Sequence, residues 1–90
     1  MTLRIERSSE AELVVFTLTG RMEIQDVAEL QRVLGQEQGN PRIVLDLRDI
    51  VLVDRNAVKF MANCEAGGIE LQNCPPYIRA WIGNEEKNHP

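Results

Sequence analysis

Two short apolar runs flank one amphipathic stretch, and this arrangement constrains the fold more than anything else in the chain. Leu13-Val14-Val15-Phe16-Thr17-Leu18-Thr19 is almost continuously apolar or β-branched. It predicts a strand buried on both faces. Ile43-Val44-Leu45-Asp46-Leu47 predicts another. Between them Val27, Leu30 and Leu34 recur at helical spacing, with Glu29, Gln31 and Arg32 on the outer side. Strand, helix and strand in that order pair the two strands in parallel through a right-handed crossover. A chain of 90 residues holds one core, so this unit organises the whole domain.

The remaining elements attach to it. Residues 2–7 alternate apolar and polar, which predicts a half-exposed edge strand, and the polar residues 8–12 join it to the second strand as a hairpin. Gly20 is expected to end that second strand, with 21–25 as a connection. Asp26 and Glu29 have the spacing of a capping box for the first helix, and Gly39-Asn40-Pro41 should stop it near Gln38. After 49–53 and the polar break Asp54-Arg55-Asn56, helical spacing resumes with Ala57, Val58, Met61, Ala62 and Cys64, and Gly67-Gly68 ends it. Ile69-Glu70-Leu71-Gln72 predicts a short fourth strand, a free sheet edge where a homodimer can form. Cys74-Pro75-Pro76 opens a last helical turn or two, with Ile78, Trp81 and Ile82 on a core face. The expected fold is α/β: a small β-α superhelix with a mixed, mainly parallel four-stranded sheet and an initial β-hairpin. It forms a single domain over 1–82, followed by a polar tail over 83–90.

Composition narrows the function. Apolar residues are 43% and charged residues 27%, the balance of a soluble domain. No apolar run exceeds four residues, so neither a membrane span nor a signal-peptide core is expected, and a cytoplasmic location is. The net charge of −4 and the lack of interleaved basic and aromatic residues disfavour nucleic acid as a partner. Cys64 and Cys74 stand ten residues apart, which is neither a zinc ribbon nor a redox dithiol, and both are expected to be reduced. The sole histidine, His89, lies in the polar tail. No metal, no cofactor and no enzymatic activity are expected, since no general base, phosphate loop or nucleophile elbow stands out. Asp46 is expected to be satisfied structurally. Val58, Phe60 and Met61 should be core, Phe60 being the one of the three open to exposure for a partner. Tyr77 and Trp81 should pack as a C-terminal plug.

In such sheets functional surface gathers at the carboxyl ends of the strands. Two connections leave from that end, 20–25 and 53–56. At the second, Asp54 is placed to cap a helix whose first amides are unpaired and partly positive. A hydroxyl there would suit a phosphorylation switch, but this chain offers Arg55 and Asn56.

Phe16-Thr17-Leu18-Thr19-Gly20-Arg21-Met22-Glu23, Ile43-Val44-Leu45-Asp46-Leu47-Arg48-Asp49-Ile50 and Leu52-Val53-Asp54 together resemble a STAS domain. That is the family of bacterial anti-sigma factor antagonists and of the cytoplasmic tails of sulphate transporters. The resemblance spans 3–82 in element order. It implies a protein-binding signalling module acting in transcription regulation. The partner face would surround the start of the second helix, carried by Glu23, Asp54, Arg55, Asn56, Ala57 and Val58. The implied partner is an anti-sigma factor or a serine kinase of the histidine-kinase-like ATPase fold, or a larger signalling complex. Asp54 matches the family's aspartate, and Glu23 stands where the family has Asp. Asn56 occupies the phospho-acceptor position, and Ala57 replaces a glycine. Asn56 has no hydroxyl, so the resemblance implies binding without the phosphorylation switch. The alternative is a small anionic ligand held by the helix N-terminus and Arg55.

Overall fold

The computed structural model describes residues 3–39 and 41–87. Its order is β1 (Arg4–Glu10), β2 (Leu13–Met22), α1 (Ile24–Gly35), β3 (Arg42–Val53), α2 (Arg55–Ala66), β4 (Glu70–Gln72) and α3 (Pro76–Lys87). The four strands form one sheet in the order β1-β2-β3-β4. β1 and β2 are antiparallel, and the other two pairings are parallel. The fold is therefore the α/β arrangement expected, with a mixed sheet and an initial hairpin.

Topology decides which face the helices cover. Both crossovers carry the chain the same way across the sheet. Right-handed crossovers in one direction place α1 and α2 on one face. The core agrees with this. Val14, Phe16, Leu18 and Met22 of β2 and Leu45 and Leu47 of β3 join Leu30, Val58 and Met61 in one cluster, which Ile78 and Ile82 of α3 complete. Residues of the opposite parity line the other face: Val15 and Thr17 beside Val44 and Asp46, then Glu70 and Gln72. β2 is thus buried on one face and half-exposed on the other, not buried on both. Val44 and Asp46 of β3 are nonetheless buried on that second face, between the side chains of β2 and β4.

Several boundaries move. β1 runs through the expected turn to Glu10, leaving a two-residue connection, Ala11 and Glu12, with Ala11 in the left-handed region at φ 53°. Gly20 does not end β2. It sits within the strand at φ 101°, beside a shift in register with β3. A glycine there allows the strand to bend without breaking. The capping box also sits three residues earlier than expected. Glu23 caps α1, and the Asp26 carboxylate accepts from the Glu23 amide at 2.9 Å, while Glu29 pairs with Arg32 at 2.7 Å. α1 ends at Gly35, a poor helix former, rather than near Gln38. The last helix is longer than a turn or two, and the boundary drawn at residue 82 falls inside it. Its polar second half has no apolar stripe to betray it. His89 and the rest of 88–90 lie outside the described residues. Among the described residues no helix is long and apolar enough to cross a membrane.

Candidate functional site at the paired strand ends

β2 and β3 end side by side, Met22 opposite Val53, and each feeds a helix within two residues. Two helix N-termini therefore open on the same rim. Asp54 lies between them and serves both. Its Oδ1 accepts from the Ala57 amide of α2 at 2.9 Å, and its Oδ2 accepts from the Ile24 amide of α1 at 3.0 Å. The backbone amide of Asp54 donates to the Met22 carbonyl, continuing the strand pairing to its last residue. The expected N-cap is present. The second bond, across 30 residues of sequence, is one that no local pattern announces.

Glu23 stands at the same junction as the cap of α1, half-buried, its carboxylate accepting from the Gln25 side chain at 3.3 Å. Arg55 and Asn56 are exposed on the first turn of α2. Ala57 and Val58, expected among the partner-binding residues, are fully buried. Helical periodicity turns positions 57 and 58 towards the sheet while 55 and 56 face solvent. They support the surface from beneath. Phe60 and Met61 are core as well.

Three apolar residues flank this junction in solvent: Ile24 at 58% exposure, Val51 at 69% and Leu52 at 48%. Two bulges in β3 explain the second and third. Thr17 pairs with Asp46 but Thr19 with Asp49, and Gly20 with Ile50 but Arg21 with Leu52. Each extra residue shifts the alternation, so Ile50 and Val53 point inward and the pair between them does not. The sequence reading missed these residues because Ile50-Val51-Leu52-Val53 looks like any buried strand. Ile24 looked like connection rather than the first residue of a helix.

Three of the amides at these helix starts already have carboxylate partners. Ala57 and Ile24 donate to Asp54, and Glu23 donates to Asp26. An anion seeking those three amides would compete with the carboxylates of Asp54 and Asp26.

Asp46, Cys64 and Cys74 are each shifted by their surroundings. Asp46 is 8% exposed on the open sheet face. Burial pushes its carboxyl up, but the Asn73 side-chain amide, the Arg48 backbone amide and the Arg48 guanidinium together hold it below its ordinary value. Cys64 is buried and its thiol is pushed up to about 11 by that burial, and Cys74 is half-buried and raised for the same reason. Neither is activated as a nucleophile. Trp81 packs against the core, but Tyr77 is exposed rather than part of a plug. Among the described residues no three His, Cys, Asp or Glu side chains gather to hold a metal ion.

No protein-family model matches the chain, and no curated protein does. Nine chains of solved structures match. One, described as "Crystal Structure Analysis of Mglu", is 18% identical at a TM-score of 0.59, and the match covers 79% of this chain and 19% of that one. The chain thus spans about a fifth of that structure's length. At this identity the likeness is one of fold.

Proposed function

We propose that the chain is a non-catalytic protein-binding module of the STAS type, which binds a signalling partner through the rim around the start of α2. The observation that carries this reading is the exposed apolar set Ile24, Val51 and Leu52 beside exposed Arg55 and Asn56. Large apolar side chains held in solvent, Val51 and Leu52 by the bulges of β3 and Ile24 at the start of α1, suit contact with another protein. Asp54 acts there as the brace that fixes both helix starts, and Glu23 as the neighbouring cap. The partner is an anti-sigma factor or a serine kinase of the histidine-kinase-like ATPase fold, met in the cytoplasm. Asn56 at the second position of α2 offers no hydroxyl, so the complex is not released by phosphorylation there.

The test is capture from an extract of the native cell. The wild-type chain is expected to retain one defined partner, and Leu52→Asp and Arg55→Glu are expected to lose it while their melting temperatures stay within about 4 °C of wild type. Capture that survives both substitutions moves the site elsewhere. Incubation with the captured kinase and ATP should leave the wild type unmodified and phosphorylate Asn56→Ser. Phosphate on Ser8, Ser9 or a threonine of the wild type contradicts the assignment of Asn56.

A further inference from the structure

We propose that β1 pairs edge to edge with β1 of a second copy of this chain, joining two four-stranded sheets into one across a two-fold axis. β4 is a sheet edge, as expected, but it is three residues long. The long open edge is β1, seven residues that pair with β2 without one break in register. Among the described residues no strand lies beyond it. It holds no proline and no bulge, the usual devices that blunt such an edge.

Charge is the remaining defence, and here the charges are self-complementary. A two-fold axis makes like strands antiparallel. Full overlap about Arg7 sets Arg4 against Glu10 of the second copy and Glu6 against Ser8 of the second copy. By parity Arg4, Glu6, Ser8 and Glu10 share the sheet face away from the helices. Every carboxylate on that face then meets a cation or a hydroxyl. Within the chain Arg4 pairs with Glu6 at 3.5 Å, both side chains well exposed. Arg7 meets its own copy on the axis, on the helix side. Each Arg7 is already held by Glu37 through two bonds of 2.8 and 2.9 Å, so the axis brings together two ion pairs rather than two bare cations. This pairing uses no residue of the Asp54 junction, so it stands or falls apart from the proposed partner site.

Sedimentation equilibrium of the full chain tests it. A concentration-dependent dimer is expected, weakened at high salt. Arg4→Glu and Glu10→Arg should each weaken it about tenfold, because each places like charges opposite at two symmetric rows. The double variant should return close to wild type. Hydrogen exchange gives a second reading that no folding defect can imitate: β1 amides should gain protection as wild-type concentration rises. A chain that stays monomeric to about 1 mM overturns the proposal. So does a dimer indifferent to both single reversals, or one that the double reversal fails to restore.

Discussion

Asp54 restrains two helices with one side chain, and its two oxygens have separate tasks. Oδ1 caps α2 through Ala57, and Oδ2 takes the first amide of α1 through Ile24. Both helix starts carry partial positive charge, so one carboxylate between them is favoured twice. Asp54→Ala removes both bonds and should cost about 2 kcal/mol, a fall in melting temperature of about 10 °C. Asp54→Asn keeps an oxygen for the cap but presents an amide to the second donor. It should cost roughly 0.5–1 kcal/mol. Thermal melts of the two variants separate these contributions, and an Asn variant as stable as wild type denies the bond to Ile24 any role. The cap could be read from an apolar run followed by Asp-Arg-Asn-Ala. The bridge could not, because its other end lies in a different helix.

Among the elements, β3 carries most of the departures from simple alternation. It is bulged twice against β2, and it anchors β4 through Asp46. The Asp46 carboxylate accepts from Asn73, which lies just beyond β4 at φ 55°. Asparagine tolerates that left-handed backbone and supplies the amide that Asp46 needs. The folded chain holds the Asp46 carboxyl below its unfolded value of about 4. The stability this contributes is present above pH 4 and lost as pH falls through the lowered folded value. Urea denaturation from about pH 6 to 2.5 should therefore show wild type and Asp46→Asn converging as the medium becomes acid. A gap that stays constant would mean the charge contributes nothing. Element types followed from periodicity alone: β2, α1, β3 and α2 occur in the expected order, while the ends of β2 and α1 lie elsewhere. The bulge beside Val51 was illegible because an outward residue there has the same apolar side chain as a buried one.

At the scale of the molecule, the one-sided helical layer sets what is protected. Cys64 of α2 lies in the central cluster, and its thiol is pushed up to about 11. Cys74 sits outside that cluster and is half-buried. A thiol reagent at neutral pH should label Cys74 of the native chain first. Cys64 should follow only at the rate of global opening, since both access and a thiolate fraction cut about a hundredfold protect it. Mass spectrometry of partly labelled chain checks the order, and equal rates would show that α2 detaches from the sheet on its own.

What the amino-acid order determined by itself was local or chiral. It set strand and helix periods, the stop at Gly67, the cap at Asp54, and the parallel β2–β3 pairing that a right-handed crossover imposes. Tertiary structure alone decided which sheet face the helices cover, the outward turn of Val51 and Leu52 and the second bond of Asp54. Each of these depends on which distant strand or helix lies alongside. A side-chain pattern states how strongly a residue avoids water, not which neighbour removes it from water.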